Sequence, residues 1–109
     1  GNPKREFLHV DDLANACVFL MNNYNKSETI NVGTGEDISI KDLALLIKKI
    51  TGYKGKVFFN KKYPDGVKRR QIDSKLIRKL GWKAKITIDQ LIKEMLIHDL
   101  NLAKKNLNN

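Results

Sequence analysis

Residues 5–14 read REFLHVDDLA, and this stretch joins a segment of alternating polar and apolar residues to a pair of carboxylates. The alternation predicts a short strand over Arg5–Val10, because successive side chains of a strand point to opposite faces. Asp11 and Asp12 follow at the place where carboxylates satisfy the free N–H groups of a helix N-terminus. Apolar residues then recur at helical spacing as far as Asn23. The stretch therefore predicts a β-strand that leads directly into an α-helix.

The rest of the chain continues this succession of strands and helices. β-branched and aromatic residues predict two further strands, at Thr29–Val32 and Lys56–Phe59. N-terminal capping residues predict three further helices: Ser39 with Asp42, Asp73 or Ser74, and Thr87 with Gln90. The last of these helices is expected to bury Leu91 and Met95, with Ile92 as a further candidate. The predicted fold class is therefore α/β, with few strands.

Such a small sheet cannot be covered on both faces without leaving apolar area exposed. The chain also opens on Gly1-Asn2-Pro3, with no Met, directly before the first predicted strand. We therefore expect the chain to be part of a longer protein and to be incomplete as an independent fold. In isolation, the helix face formed by Leu13, Cys17 and Leu20 is expected to be exposed, or to be buried by self-association or domain exchange.

The composition excludes several classes of protein. Hydrophobic residues make up 41% of the 109 residues, which is enough for a core and argues against wholesale disorder. No apolar run approaches the ~18 residues of a membrane span, and no signal peptide opens the chain. The single cysteine, Cys17, allows neither an internal disulfide nor a thiolate metal cluster. We expect Cys17 in the core and a reducing, cytoplasmic location.

The positive charge is concentrated in the second half of the sequence. Between Lys48 and Lys85 there are fourteen Lys and Arg residues and two acids, a net charge of +12, whereas the whole chain carries +9. Such a segment predicts a polyanionic partner, with nucleic acid and a nucleotide diphosphate as candidates. The alternative is a solvated, lysine-rich surface. Only four arginines accompany seventeen lysines, which favours a selective use of each guanidinium for phosphate oxygens.

Catalytic motifs are largely missing from the sequence. Gly33 and Gly35 form a G-x-G pair, but Ile38 stands where a dinucleotide-binding loop needs a third small residue. No tyrosine is followed four residues later by a lysine. His9 and His98 lie far apart and have no Cys or His neighbours at metal-binding spacing, so no metal site is predicted. His9 is interpreted as a packed histidine of the first strand.

Arg5 and a basic segment near residue 70 are the strongest candidates for a binding site. Arg5 stands at the start of a predicted strand, and Arg69 and Arg70 are adjacent. Separated guanidinium groups suit a pyrophosphate, because each phosphate can accept two parallel hydrogen bonds from one guanidinium. In the alternative interpretation, the two adjacent arginines pair with Asp65 and Asp73 on the surface.

Five motifs in this order resemble the extended short-chain dehydrogenase/reductases that act on nucleotide sugars. They are REFLHVDDLA at 5–14, INVGTG at 30–35, GYKGKV at 52–57, PDG at 64–66 followed by a basic pair and Asp73, and LGW at 80–82. The resemblance runs from Gly1 to about Leu100. Each motif is shared by many sugar-nucleotide epimerases and dehydratases, and the ordered set is the specific part.

This resemblance implies that the chain is the C-terminal third of such an enzyme. Residues 1–36 are then the segment that completes the Rossmann domain, with its last strand and helix. Residues 37–109 form the smaller domain that binds a GDP-sugar substrate. The glycine-rich NADP loop and the catalytic Ser, Tyr and Lys of the family lie upstream. No catalytic or cofactor-binding residue is therefore assigned, and the isolated chain is expected to be inactive.

The resemblance also carries substrate-binding positions over to this sequence. Arg5 matches the family's arginine that contacts the diphosphate, and Arg70 stands where a Lys or Arg engages the nucleotide. Lys56 and Asp65 match further positions near the nucleotide. For the longer enzyme, the resemblance implies 3,5-epimerisation of a 4-keto sugar and NADPH-dependent reduction at C4. It also implies a cytoplasmic homodimer without a metal or a membrane contact.

Two alternatives stay open at this point. The first is a basic nucleic-acid-binding module, since five aromatic residues are interleaved with the lysines: Tyr53, Phe58, Phe59, Tyr63 and Trp82. Against it, no RRM, KH or helix-turn-helix pattern is present, and Phe58 and Phe59 are expected in the core of a strand. The second alternative is another nucleotide-sugar epimerase or dehydratase of the same family.

Overall fold

A computed structural model describes residues 1–107, which form four helices and three two-residue strands. The helices are α1 (Val10–Asn23), α2 (Ile40–Thr51), α3 (Lys75–Lys79) and α4 (Ile88–Leu107). The strands are β1 (Lys4–Arg5), β2 (Ile38–Ser39) and β3 (Arg69–Arg70). None of the helices within residues 1–107 has the length and apolar character that a membrane span requires.

The three strands form one small mixed sheet with β1 in the centre. Strand β1 pairs antiparallel with β2, so that Arg5 faces Ile38. On its other side β1 pairs in parallel with β3, so that Arg5 is the partner of Arg70. The ladder places the side chains of these three residues on one face of the sheet, because partners in register share a face.

Helices α2, α3 and α4 begin at the predicted capping residues, and α1 is the exception. The Ser39 hydroxyl accepts the Asp42 N–H at 3.1 Å, and Thr87 and Gln90 bond reciprocally at 3.0 and 3.2 Å. Both predicted signals are confirmed. Of the two residues predicted to cap α3, Asp73 accepts the Lys75 N–H at 3.1 Å, whereas the Ser74 side chain makes no capping bond.

The exception is α1, where the N-cap is a histidine and not an aspartate. The His9 Nδ1 atom accepts the Asp11 N–H at 2.9 Å, so the helix begins one residue earlier than predicted. Asp12 is 5% exposed and accepts the N–H groups of Lys85 and Ile86 at 3.2 and 2.9 Å. The interpretation of Asp12 as a helix cap is therefore wrong, because its carboxylate binds the segment that precedes α4.

The core lies between α1 and the segment that includes α3. Ala16, Ile77 and Trp82 form a buried cluster, and the Trp82 indole N–H donates to the Asn15 Oδ1 at 2.9 Å. Partly buried apolar residues pack around this cluster: Leu8, Phe19, Leu20, Ile30, Val32 and Ala84. The core and the sheet thus combine residues from both sides of residue 36.

Three predicted strands differ from the structure. Strand β1 ends at Arg5, and neither Thr29–Val32 nor Lys56–Phe59 is a strand. Ile30 and Val32 do pack against the core cluster. A strand also needs a neighbouring backbone for its hydrogen bonds, and no strand within residues 1–107 pairs with this segment.

Two predicted core positions are also wrong. Met95 is 59% exposed, and Ile92 takes the buried position on α4 at 7%. Cys17 is exposed because it lies on the outer side of α1.

Helix α1 has apolar residues on both of its sides. Its inner side packs on the core through Ala16 and Leu20. Its outer side is an apolar stripe, which we define as Val10, Leu13, Ala14, Cys17, Val18 and Met21. Leu13 is 43% and Met21 is 83% exposed. The expected exposure of Leu13 and Cys17 is confirmed, whereas Leu20 faces inward.

Candidate anion-binding site

The sheet brings Arg5 and Arg70 together. They are register partners on adjacent parallel strands, although sixty-five positions separate them in sequence. Adjacent strands lie about 4.8 Å apart, so the two side chains leave the same face from neighbouring points. Each guanidinium group can donate two parallel hydrogen bonds to one phosphate group, so two arginines on adjacent strands can bind two phosphate groups.

Arg5 is half-buried at the centre of this face. Its Nη1 donates to the Lys4 carbonyl at 2.7 Å. Its Nη2 lies beside Gly66: a Cβ atom added to Gly66 would be 3.4 Å from this nitrogen. The turn that contains Asp65 therefore lies beside Arg5. The Asp65 carboxylate itself lies 3.8 Å from the Gly1 nitrogen.

Arg69 and Arg70 differ in their partners. The Arg69 Nε donates to Asp37 at 2.7 Å, and this carboxylate side chain is 9% exposed. Arg70 is exposed and has no ion pair within residues 1–107. The alternative in which both arginines pair with Asp65 and Asp73 is therefore wrong. Side chains alternate along β3, so Arg69 lies on the face opposite Arg70, where it pairs with Asp37.

Lys56 lies outside the sheet that carries the two arginines. It is exposed in the segment between α2 and β3. Its substrate-binding role stays a prediction.

A cavity of about 340 Å³ opens beside Arg5, and Arg70 is not among the residues that line it. Apolar side chains form one part of its wall, including Phe7, Ile38 and Ile86. Charged residues form the other part: Arg5, Glu36, Asp37, Arg78, Lys83 and Lys85. Because Asp37 is already paired with Arg69, the remaining charge of the wall is predominantly positive.

Sequence analysis missed Arg78 as part of this site. It lines the cavity beside Arg5 and also a second cavity of about 220 Å³ that includes Ser74. Its guanidinium rests on Gly35, and a Cβ there would overlap it. Gly35 also has a φ of 78°, which disfavours any other residue. The scarcity of arginine was the only signal in the sequence, because this contact is tertiary.

The Gly33–Gly35 turn does not fit the pyrophosphate of a dinucleotide. The Gly35 N–H, which a phosphate-binding loop would direct at its ligand, donates to the Glu6 carboxylate at 2.9 Å. A negative charge thus stands where the phosphate would have to lie. The structure therefore gives no reason to place a nicotinamide cofactor on this turn.

His9 serves the fold through both of its ring nitrogens. Its Nδ1 accepts the Asp11 N–H, so the proton is on Nε2, which donates to the Glu94 carboxylate at 2.5 Å. His9, Asp11 and Glu94 lie close enough to hold a cation in principle. The imidazole lone pair is however already used by the helix cap. This histidine links the start of α1 to α4.

Known proteins with similar sequences include GDP-L-fucose synthases. The chain is 46% identical over 88 residues to GDP-L-fucose synthase 1 of Arabidopsis thaliana, covering 81% of this chain and 27% of that protein. It is 42% identical over 98 residues to GDP-L-fucose synthase of Escherichia coli (strain K12), covering 82% and 30%.

Solved structures with the same fold include GDP-sugar enzymes of about three times this length. A GDP-6-OMe-4-keto-L-xylo-heptose reductase from C. jejuni gives a TM-score of 0.85 at 39% identity, over 93% of this chain and 32% of that chain. A GDP-D-glycero-L-gluco-heptose synthase from Campylobacter jejuni, crystallised in the presence of NADPH, gives 0.77 at 40% identity, over 88% and 30%.

These matches confirm the α/β fold class and the resemblance to enzymes of nucleotide sugars. The chain spans about a third or less of the length of the relatives that it matches. Residues 1–95 match the profile of a family described as GDP-mannose 4,6 dehydratase, and the chain belongs to that family.

Proposed function

We propose that this chain is the substrate-binding part of a GDP-L-fucose synthase and that Arg5 and Arg70 bind the diphosphate of its GDP-sugar. The observation that carries the proposal is the register of β1 and β3, which makes these two arginines direct neighbours. The similarity to GDP-L-fucose synthases supports the choice of GDP. Each guanidinium then holds one phosphate group through a charge-assisted fork.

The reaction of the longer enzyme is the conversion of GDP-4-keto-6-deoxy-D-mannose to GDP-L-fucose. It consists of 3,5-epimerisation and an NADPH-dependent reduction at C4. The residues in this chain bind and orient the nucleotide, and positioning of this kind lowers the entropic part of the barrier. We place the cofactor loop and the catalytic groups in the remainder of the enzyme, so the chain alone is inactive.

The division of the chain follows from the same proposal. Residues 1–36 complete the Rossmann domain, and residues 37–109 form the substrate-binding domain. The apolar stripe of α1 supports this assignment, because a helix that is apolar on two sides is typical of a protein interior. The enzyme is a cytoplasmic homodimer in this proposal. Lys56 and Asp65 complete the surroundings of the nucleotide.

Titration of the chain with GDP by calorimetry tests the proposal. Arg5→Ala and Arg70→Ala are each expected to lose about 1.5–3 kcal/mol of binding free energy, the value of a hydrogen bond to a charged group. Lys49→Ala is the control, because it removes one positive charge from an exposed position in the last turn of α2. Equal losses in all three variants, or no loss at Arg5 and Arg70, would show that the site is assigned wrongly.

The exposure of the basic segment favours a second candidate, nucleic-acid binding. Phe58 is 83%, Tyr63 is 68% and Tyr53 is 61% exposed, so the prediction that Phe58 lies in a strand core is wrong. Exposed aromatic rings among lysines are able to stack on bases. A gel shift with single-stranded RNA at physiological salt tests this function. If it applies, Phe58→Ala weakens binding by about 1–3 kcal/mol, and GDP does not compete.

A further inference from the structure

The carboxylate of Glu6 connects three parts of the chain. Its Oε1 accepts the Thr34 hydroxyl at 3.1 Å and the Gly35 N–H at 2.9 Å. Its Oε2 accepts the Ile72 N–H at 2.6 Å. The group is partly buried; two backbone N–H groups donate to it, and the Thr34 hydroxyl shares its proton between Glu6 and the Glu36 carbonyl, 2.9 Å away. Hydrogen bonds to an ionised acceptor are among the stronger ones in proteins.

The glycines of the turn make room for this carboxylate. A Cβ added to Gly33 would lie 3.1 Å from the Glu6 Oε1 and 3.4 Å from the Ile72 Cβ. The first distance is tighter than ordinary contact, and the second is at the lower limit of ordinary contact. The backbone of the turn, the Glu6 side chain and the residue after β3 are therefore packed closely around one another.

The donors of Glu6 are continuous with the strands that carry the arginines. Glu6 directly follows Arg5, and Ile72 lies two residues after Arg70. The ladder between β1 and β3 has only two residue pairs, so it holds the strands weakly by itself. The bond from the Ile72 N–H to Glu6 continues this pairing beyond the end of the ladder.

From this arrangement we infer that Glu6 is a positioning residue for GDP, which holds Arg5 and Arg70 side by side without touching the nucleotide. The inference rests on the proposed function. Glu6 lies one residue beyond the end of β1 and is not among the residues that line the cavity beside Arg5. The role is thus to fix the backbone from which the two guanidinium groups extend.

The sign of the effect distinguishes positioning from simple electrostatics. Glu6→Gln removes a negative charge near a site for a polyanion, and by Coulomb's law alone GDP would bind more tightly. Positioning predicts the opposite, because Gln has a single acceptor oxygen and cannot accept the Gly35 N–H at one end and the Ile72 N–H at the other. Glu6→Asp keeps the charge and shortens the side chain, so it too is expected to weaken binding.

The experiment measures GDP dissociation constants for the 109-residue chain and its variants. We expect Glu6→Gln and Glu6→Asp to raise the constant about ten-fold, the equivalent of one charge-assisted bond. Glu28→Gln is the charge-matched control on an exposed carboxylate and leaves the constant unchanged or lowers it slightly. Tighter binding by Glu6→Gln overturns the inference.

A double-mutant cycle with Arg70→Ala separates positioning from general destabilisation. If Glu6 acts through Arg70, Glu6→Gln weakens GDP binding clearly less in the Arg70→Ala background than in the wild type. Additive losses overturn the inference. If Glu6→Gln fails to fold, Thr34→Val removes one of the three donors, and we expect it to weaken binding about three-fold. Unchanged binding by that variant also counts against the inference.

The two proposals fail in different ways. If Arg5→Ala and Arg70→Ala bind GDP like the wild type, the proposed function fails. If they lose binding while Glu6→Gln does not, only the positioning role fails. Amide hydrogen exchange without ligand adds an independent readout, because Ile72 and Gly35 are expected to exchange faster in Glu6→Gln than in Glu28→Gln. Equal exchange contradicts the role of Glu6.

Discussion

Asp12 shows how a single buried carboxylate connects two distant parts of this chain. It stands in the first turn of α1, where the helix dipole favours a negative charge, and it accepts the backbone N–H groups of Lys85 and Ile86. These two N–H groups precede α4, which begins at Ile88, so no carbonyl of that helix accepts from them. The residue therefore fixes both the segment before α4 and the wall of the cavity beside Arg5.

Loss of this carboxylate is expected to destabilise the fold. Asp12→Ala leaves two N–H groups without their acceptor, and we expect a loss of about 2–4 kcal/mol in the free energy of unfolding. The control is Asp11→Ala, because the Asp11 side chain is 76% exposed and its removal costs within about 0.5 kcal/mol. Urea unfolding followed by far-UV circular dichroism measures both. Similar stabilities of the two variants would contradict this account.

The individual helices could be predicted from sequence because their signals are local. The Ser39 cap, the Thr87 and Gln90 box and the terminating Gly52 all act within one turn of their helix, and Gly52 has the left-handed φ of 72° expected of it. The same reasoning placed both aspartates of α1 at its cap. It failed for Asp12 because the true partners lie more than seventy residues away.

The strands could not be predicted equally well because pairing is not a local property. Thr29–Val32 has the composition of a strand, and its apolar side chains are packed, but no strand within residues 1–107 pairs with it. The pairs that do form involve the polar residues Lys4, Arg69 and Arg70, which have no strong strand propensity. Tertiary placement decides their conformation.

The candidate site was only partly within reach of sequence analysis. The motifs indicated Arg5 and Arg70, and the sheet makes them neighbours; their binding of GDP stays a prediction. Sequence analysis assigned no role to Arg78 or Glu6, because each contacts the Gly33–Gly35 turn only in the folded structure. Such contacts need the whole molecule, and no spacing in the sequence encodes them.

At the scale of the whole molecule, the apolar stripe of α1 predicts how the chain behaves in solution. Val10 is 69%, Val18 is 57% and Met21 is 83% exposed, and all three lie on one side of one helix. Burial of such side chains is worth about 1.5–3 kcal/mol each, so without a covering domain we expect the stripes of two copies to associate. Sedimentation equilibrium over a range of concentrations measures this association.

Met21→Lys is expected to weaken the association at least about ten-fold, because the burial of a methionine is lost and an ammonium group would have to be buried in an apolar contact. Met95→Lys is the matched control, since Met95 is 59% exposed on α4 and lies outside the stripe. Equal effects of the two variants would place the contact elsewhere on the surface. A wild-type chain that stays monomeric at millimolar concentration would show that exposure of this stripe is tolerated. Because the stripe and the Arg5–Arg70 face are separate, Met21→Lys is also expected to leave the GDP dissociation constant of the chain unchanged.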